Sequence, residues 1–314
     1  MKLRFVFNPR SGRPRRNAPI LPMLRSFMSA RSLDADLVCT EGPGHATELA
    51  RDAVAAGCLR IVAVGGDGTV NEVAQALIHT PAAMGLVPCG SGNGLALHLG
   101  LPRAIPDALE LAAGTSGRVA EIDTGTVNGL VFVNAMGLGL DADVARRFNL
   151  LTRRGLPAYT RTALAAFFGR ATERCQVSVG GHRETLDTLL IAVANSDQYG
   201  NNARIAPHAR VDDGVLDLVA VRPVGILSAC FLGARLFLGS IDRSRGVRRM
   251  RGARFLIERT AAGIIHTDGE THMAAACVEV IVKPRSLRLI VPSDCAAVSR
   301  SEERPANAFA LQLP

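Results

Sequence analysis

The sequence has no tryptophan, and aromatic residues make up only 4% of it. A surface that binds nucleic acid by stacking bases needs aromatic side chains among its basic residues, so we expect no nucleic-acid partner. Lysine is almost absent too, because Lys2 and Lys283 are the only lysines among 36 basic residues. The arginines suit phosphate recognition, and a formal net charge of +8 predicts another anionic partner, although a GC-rich genome would also favour arginine.

Metal-site and P-loop patterns are missing as well. The seven cysteines contain no C-x-x-C pair and the seven histidines no H-x-x-x-H or H-E-x-x-H spacing, which disfavours a disulfide frame, a zinc site and metalloprotease chemistry. No G-x-x-x-x-G-K-[ST] sequence occurs, which excludes a P-loop kinase. The first glycine turn lacks G-x-G-x-x-G, which disfavours a Rossmann dehydrogenase.

Long apolar runs are also lacking. The opening MKLRFVFNPRSG has no unbroken apolar stretch of the kind that a signal peptide carries, and the apolar segment 225–239 is short and contains Arg235. We therefore expect a cytoplasmic protein without a membrane span.

The first third of the chain repeats a strand, a glycine turn and a helix. This rhythm predicts a parallel-sheet α/β domain over residues 1–118, with ligands at the carboxyl ends of its strands. The predicted strands are Leu3–Phe7, Leu33–Cys39, Arg60–Val64 and Met84–Val87, and the predicted helices are Ile20–Ala30 and His45–Ala56.

A second, mostly antiparallel domain is expected over residues 119–292, because strands joined by tight turns follow. A tail, 293–314, comes after it and could dock on a domain. The predicted hairpins pair Val119–Val127 with Leu130–Ala135 and Arg174–Val179 with Glu184–Ala194; helices are expected at Asp141–Phe148 and Tyr159–Gly169, and further strands near 215–221, 252–258, 277–282 and 286–291.

The strongest local signal is G-G-D-G-T, from Gly65 to Thr69, where a strand ends and a helix begins. Free backbone N–H groups at such a helix start suit a nucleotide phosphate. Asp67 would repel that phosphate unless magnesium bridges them, so it indicates either a magnesium ligand or a proton acceptor. The alternative is a tight turn in which Asp67 only caps the helix.

Two more loops lie at predicted strand ends. One contains Gly90, Ser91, Gly92, Asn93 and Gly94, whose pattern equally fits a close-packing turn. The other is N-P-R-S-G, which Arg13, Arg15 and Arg16 follow and which equally fits a solvated loop; it comprises Asn8, Pro9, Arg10, Ser11 and Gly12.

Together these motifs, from about residue 2 to 292, resemble the diacylglycerol kinase catalytic-domain family, which includes bacterial soluble lipid kinases and sphingosine kinases. The resemblance implies an α/β nucleotide-binding domain, a C-terminal antiparallel β-sandwich domain and ATP between them. NAD kinases share this architecture. The sequence departs from many members at Ser91, Gly94 and Leu97, which bears on the acceptor's identity. The implied ATP-binding residues are Asn8, Pro9, Arg10, Ser11, Gly12, Thr40, Gly65, Gly66, Asp67, Gly68, Thr69, Asn71, Glu72, Gly90, Ser91 and Asn93.

The resemblance also implies roles for acids of the second domain. An acid after the first hairpin contacts the lipid head group, and Asp143 or Asp141 matches it; the alternative is that both stabilise a helix start. The carboxylate of Asp213, with the carbonyls of Arg210 and Val215, would hold magnesium; the alternative is an ordinary Asp-Asp-Gly turn.

The D-G-E motif contains the expected base for the lipid hydroxyl. Glu270 is the first choice, followed by Asp268, while sphingosine kinases use the acid that matches Asp67. The distance between each carboxylate and the hydroxyl decides among them.

The sequence thus predicts an ATP-dependent lipid kinase that uses ATP and Mg²⁺ and is peripheral at the inner membrane surface. An arginine cluster beside segment 225–239 would contact anionic lipid, or would form an ordinary solvated loop. The alternatives for function are NAD kinase and a noncatalytic sensing module, and exposed strand edges leave a homodimer open. The cluster comprises Arg243, Arg245, Arg248, Arg249, Arg251 and Arg254.

Overall fold

The computed structural model describes residues 2–12, 20–114, 116–151, 156–169 and 172–299. Arg13, Arg15, Arg16 and the tail beyond Ser299 lie outside these ranges. The first elements are β1 (Leu3–Phe7), α1 (Ile20–Ala30), β2 (Ala35–Cys39), α2 (His45–Ala55), β3 (Arg60–Gly65), α3 (Asp67–Leu77), β4 (Ala83–Pro88), α4 (Gly94–His98) and α5 (Ile105–Ala113).

The first part of the chain is an α/β layer structure, as the sequence predicts. Strands β2, β1, β3 and β4 are parallel and lie in that order. Alternate residues of β3 serve the two faces: Ile61 and Ala63 pack with α2 and α3, while Val62 and Val64 pack with α1 and α5. Because helices cover both faces, the strand is apolar throughout.

The second part is an antiparallel β structure, which confirms the predicted fold class. The elements are β5 (Gly117–Val127), β6 (Leu130–Phe132), β7 (Ala135–Gly139), α6 (Leu140–Asn149), α7 (Leu156–Phe168), β8 (Glu173–Val179), β9 (His182–Thr188), β10 (Leu190–Ala194), β11 (Leu216–Val221), α8 (Ile226–Phe237), a 3₁₀ turn (Ile241–Arg243), β12 (Val247–Gly252), β13 (Arg254–Arg259), β14 (Gly263–Thr267), β15 (Glu270–Ala274) and β16 (Cys277–Pro292). Its six-stranded sheet has the order β12-β11-β10-β7-β14-β15, and a shared core lies between this sheet and strands of the sheet that contains β1–β4.

Strand β16 joins the two parts. It pairs in parallel with β4 and antiparallel with β5 and β13, so one ten-stranded sheet runs through both. The prediction of two strands at 277–282 and 286–291 is wrong, because pairing with β5 continues across a register shift between Lys283 and Leu287. The proposed domain boundaries at 118 and 292 stay predictions.

One other element prediction needs correction. The expected strand Glu184–Ala194 is two strands, because β9 pairs with β8 in one sheet and β10 pairs with β7 and β11 in the other. The strand expected near 252–258 is present as β13, and β12 ends just before it in the other sheet. In both places the chain crosses from one sheet to the other, which hydrophobic periodicity does not reveal.

Residues 293–299 return to the first part of the molecule. Val298 is buried with the core beneath α2 and α3, and its carbonyl accepts a 2.7 Å hydrogen bond from Arg118. None of the described helices combines the length and apolarity needed to cross a bilayer.

Gly125 provides a test of the packing between β5 and β6. It lies opposite Phe132, and a methyl group there would fall 2.0 Å from the ring's Cζ. We expect Gly125→Ala to lower the free energy of unfolding by about 1–3 kcal/mol, measured by urea denaturation. Gly42→Ala is the control, since no atom lies within 4 Å of the added methyl group. Equal stability of the two variants would contradict this packing.

Candidate active site

The first glycine turn and the N-P-R-S-G loop meet at the carboxyl end of the parallel sheet. Thr69 is buried in the first turn of α3, and its Oγ1 accepts a 3.0 Å hydrogen bond from Asn8 Nδ2. Ser11 Oγ accepts the N–H of Gly66 at 3.2 Å. A side chain at Gly65 would collide with Thr69, 2.5 Å from its hydroxyl, so glycine is required there. The structure therefore brings these predicted residues together.

Asp67 holds the second glycine turn. Its two carboxylate oxygens accept the N–H groups of Asn93 at 2.8 Å and Gly94 at 2.7 Å, where α4 begins. Burial raises the pKa of Asp67, the two amides oppose that shift, and the nearby Asp268 adds to it. The alternative that Asp67 caps its own helix is not met, because α3 has no side-chain cap bond and the carboxylate instead binds the start of α4.

The glycines of the two turns also permit close backbone packing. A methyl group on Gly90 would lie 2.6 Å from the Cα of Gly66, and one on Gly200 would lie 2.9 Å from the Cα of Gly92. These contacts agree in part with the alternative that the second glycine turn is a close-packing turn. On the second turn's other side lies a cavity of about 560 Å³, which Ser91 and Arg103 line.

The D-G-E motif lies on a tight hairpin between β14 and β15. Asp268 and Gly269 both have positive φ, +49° and +90°, and Thr267 pairs directly with Glu270, as in a two-residue turn of the primed kind. The Asp-Gly pair between Ile264-Ile-His-Thr and Glu270-Thr-His-Met is a strong hairpin signal that sequence reasoning missed.

The carboxylate of Asp268 joins the two parts of the molecule. It accepts N–H groups from Val133 at 2.7 Å, Asn134 at 2.9 Å and Ala135 at 3.0 Å. It also accepts Nδ2 of Asn71, from α3, at 2.8 Å. Because these four donors bind its carboxylate, Asp268 holds the D-G-E hairpin against α3, the helix that follows the first glycine turn.

Glu270 differs from the other two predicted catalytic acids. It is exposed at the start of β15, and within the described parts of the chain its carboxylate has no hydrogen-bond or ion-pair partner. A carboxylate that is not engaged by protein donors keeps its lone pairs for an incoming proton. Of the three predicted catalytic acids, Glu270 is therefore the one whose carboxylate is not held by protein donors in the described residues.

The two predicted head-group acids have different surroundings. Asp141 is buried and accepts hydrogen bonds from Tyr199 OH and from His266 Nε2, the latter at 3.0 Å. Asp143 is ion-paired along α6 with Arg146 at 2.8 Å and Arg147 at 2.7 Å. Partial burial alone would raise the pKa of Asp143, but these arginines lower it. Asp141 is not the helix cap, because Gly139 occupies that position, but both acids lie in the first turn of α6, as the alternative predicts for Asp143.

The predicted magnesium segment contains several carboxylates. Asp213 accepts the N–H of Val215 at 3.2 Å and is ion-paired with Arg251. Burial, followed by the neighbouring Asp213 and Asp212, raises the pKa of Asp123 to about 6, against two backbone amides that lower it. Among the described residues no three acidic, histidine or cysteine side chains lie close enough together to hold a metal ion, so the predicted site would depend on Asp213 and backbone carbonyls, with Arg251 as a competitor for the carboxylate.

The remaining predicted nucleotide residues divide into buried and exposed groups. Thr40 is buried and its N–H donates to the carbonyl of Phe7 at 2.9 Å. Glu72 is partly buried and accepts the N–H of Ala46 at 3.0 Å, which ties α3 to the start of α2. The exposed members are Pro9, Arg10, Gly12, Gly68 and Ser91.

Several polar residues at the junction carried no sequence signal. His98 Nδ1 contacts Asp197 Oδ1 at 2.6 Å, which links α4 to the second part of the chain. Asn195 is buried and donates to the carbonyls of Asp123 and Val133, at 2.8 Å each. Contacts between residues this far apart in sequence depend on the assembled fold.

Asp67 gives a test of how the glycine turns are held. In Asp67→Asn the amide NH₂ would face a backbone N–H, so we expect the free energy of unfolding to fall by about 1–3 kcal/mol. Urea denaturation measures this. The matched control is Glu270→Gln, which removes an unpartnered exposed carboxylate and should leave stability unchanged; equal effects of the two variants would contradict the assignment.

His266 gives a pH test. Burial would lower its pKa, but Asp141 and Asp268 outweigh burial and raise it. A raised histidine pKa stabilises the fold below the unfolded value of about 6.5 and loses this effect as pH rises through the folded value. We expect His266→Gln to cost about 1–3 kcal/mol at pH 6 and less at pH 9, by urea denaturation. A cost that does not change with pH would argue against the charged pair.

Comparison with known proteins agrees with this architecture. The family model described as "Diacylglycerol kinase catalytic domain" matches residues 2–145, and the one described as "YegS C-terminal NAD kinase beta sandwich-like domain" matches residues 134–291. A Salmonella gallinarum protein named "Probable lipid kinase YegS" is 30% identical over 259 residues, which cover 80% of this chain and 84% of that protein. A Chromohalobacter salexigens protein named "Probable lipid kinase YegS-like" is 33% identical over 185 residues, 57% of this chain and 59% of its own.

Solved structures show the same fold. A diacylglycerol kinase from Bacillus anthracis has a TM-score of 0.70 at 21% identity, over 94% of this chain and 98% of that one. An NAD kinase from Archaeoglobus fulgidus in complex with ATP has a TM-score of 0.54 at 11% identity, over 93% and 94% of the two chains. The two matching family models and the Salmonella relative show that the chain belongs to the diacylglycerol kinase catalytic-domain family, with a YegS-type β-sandwich as its second domain.

Proposed function

We propose that this protein is an ATP-dependent lipid kinase whose base is Glu270. The observation that carries the proposal is the contrast among three acids: Asp67 and Asp268 are engaged by backbone amides, while Glu270 has no partner in the described chain. The hydrogen bond from Asn71 to Asp268 brings the D-G-E hairpin to the helix that follows the first glycine turn. An ATP bound at that turn would therefore lie near the hairpin.

The reaction that this arrangement supports is in-line phosphoryl transfer. The lipid hydroxyl oxygen attacks the γ-phosphorus of ATP, the bond between that phosphorus and the β–γ bridging oxygen breaks, and ADP leaves. Glu270 accepts the hydroxyl proton. Free N–H groups of the first turn would oppose the phosphate charge, because the chain has no P-loop lysine.

Magnesium fits this proposal at the 210–215 turn. Asp213 and the backbone carbonyls of Arg210 and Val215 would hold the ion, which would reduce repulsion among Asp123, Asp212 and Asp213. When bound with ATP, magnesium supplies charge neutralisation on the phosphates.

The lipid acceptor is a diacylglycerol or a sphingoid-like alcohol in this proposal. The name of the Salmonella relative supports a lipid substrate, and the fold neighbour from Bacillus anthracis supports the diacylglycerol class. Asp141 and Asp143, at the start of α6, are the proposed head-group contacts. Since Arg146 and Arg147 already pair with Asp143, that acid would have to share its oxygens with the acceptor.

The test is radiolabel transfer from ATP to a lipid panel, with mass-spectrometric identification of the product. We expect Glu270→Gln to lower kcat by about 100-fold or more, as for loss of a general base, with unchanged thermal stability. Glu258→Gln is the matched control, because it removes an exposed sandwich carboxylate that is ion-paired with Arg183.

Three outcomes would contradict the proposal. Labelling of NAD instead of lipid would indicate an NAD kinase, and equal background labelling by wild type and variant would indicate a noncatalytic sensing module. Full activity of Glu270→Gln would assign the base to another group.

A further inference from the structure

Helix α8 presents apolar side chains to solvent. Leu227, Phe231 and Leu238 are 83%, 72% and 77% exposed, and their spacing of four and seven residues places them on one face of the helix and its C-cap. The opposite face is anchored, since Leu232 is buried in the core cluster of the second sheet. Because the exposed face of this helix is apolar as well as the buried one, we expect the exposed face to contact another apolar surface.

The surroundings of this open face are basic. A groove of about 420 Å³ lies between α8 and the segment after it, lined by Leu227 and Phe231 on one side and by Arg243 and Arg245 on the other. Both arginines are exposed, and in the described chain neither has an ion-pair partner. From residue 222 to 245 the only acid is Asp242, which is ion-paired with His208 and Arg249.

The other arginines of the predicted cluster are engaged elsewhere. Four of the six lie on β12 and β13 and pair with acids of the sandwich, and contact of the whole cluster with anionic lipid stays a prediction. The alternative of a solvated loop is wrong for the same residues. The pairs are Arg248 with Glu184, Arg249 with Asp217, Arg251 with Asp213 and Arg254 with Glu279.

We propose that the open face of α8, together with Arg243 and Arg245, docks this protein on an anionic lipid bilayer. The leucine and phenylalanine side chains would enter the boundary between head groups and acyl chains, while the two arginines contact lipid phosphates. Charge complementarity favours a bilayer over a second copy of the chain, because two copies would bring their unpaired arginines together. The inference deepens the proposed function, since a lipid acceptor stays in the bilayer.

The helix is also connected to the candidate active site. The N–H of Arg204 donates to the carbonyl of Leu236 in α8 at 2.8 Å, and the Arg204 guanidinium lies 3.5 Å from Asp197. The same loop packs Gly200 against Gly92 of the second glycine turn. The loop that contains Gly200 and Arg204 would thus connect a bilayer-bound α8 to the cleft.

Flotation of the full-length protein with vesicles of phosphatidylglycerol and phosphatidylcholine in equal parts tests the proposal. Each arginine near an anionic surface is worth about fivefold in partitioning, so we expect Arg243→Gln/Arg245→Gln to weaken binding by about 25-fold. Leu227→Ser/Phe231→Ser should weaken it by about tenfold or more. The matched control, Arg248→Gln/Arg254→Gln, loses the same charge from paired positions and should stay within about twofold of wild type.

The outcomes separate docking from catalysis. We expect the two docking variants to lose activity on bilayer-embedded acceptor and to keep it on a short-chain diacylglycerol dissolved in water. If the wild type phosphorylates neither acceptor, the proposed function fails, and flotation still decides the docking.

Three results would overturn the docking proposal. They are absence of vesicle binding by the wild type, equal loss in the control variant, and a dimer in sedimentation velocity that Leu227→Ser/Phe231→Ser dissociates, which would make a second copy the occupant.

Discussion

The cleft of this protein depends on one carboxylate, that of Asp268. Three successive N–H groups, from Val133 to Ala135, and the side-chain amide of Asn71 all converge on it. Asp268 can point inward in this way because the Asp-Gly turn holds it at positive φ, a conformation that aspartate tolerates better than most residues. The same turn places Glu270 directly after it on β15, without a protein partner in the described chain. One turn thus fixes the relation between the two parts and leaves a carboxylate for chemistry.

Three other acids have comparable structural tasks. Asp67 holds the start of α4, Asp123 holds the turn at Gly214 and the bulge at Arg285, and Asp141 holds His266 and Tyr199. Each accepts more than one hydrogen bond, which is how a buried carboxylate is normally kept in place. The glycine turns follow the same logic, since their missing side chains allow backbone to pack against backbone. The residues of these motifs therefore hold parts of the fold together, in addition to any role in catalysis.

Sequence reasoning could predict the α/β half well because its signals are local. Strands such as β3 are apolar and end in glycine, and the helices that follow show one apolar face. The strands and contacts of the second half are harder to predict. Strand β16 contains Lys283-Pro-Arg-Ser286, which interrupts its apolar pattern, although pairing with β5 continues on both sides.

The roles of Asp67 and Asp268 depend on amides that lie 26 and more than 130 residues away in sequence, so residue type alone could not assign them. Which arginines beside α8 are paired likewise depends on the pairing of β12 with β11, which the sequence pattern does not reveal.

Amide hydrogen exchange of the full chain, wild type against Asp268→Asn, tests the central claim most directly. The amides of residues 133–135 donate to Asp268, and α3 is joined to it through Asn71. The account predicts faster exchange at 133–135 together with the first turns of α3, and unchanged exchange in the remote α1. Faster exchange confined to residues 268–270, with 133–135 and α3 as protected as in the wild type, would contradict the claim that this carboxylate holds the two parts of the molecule together.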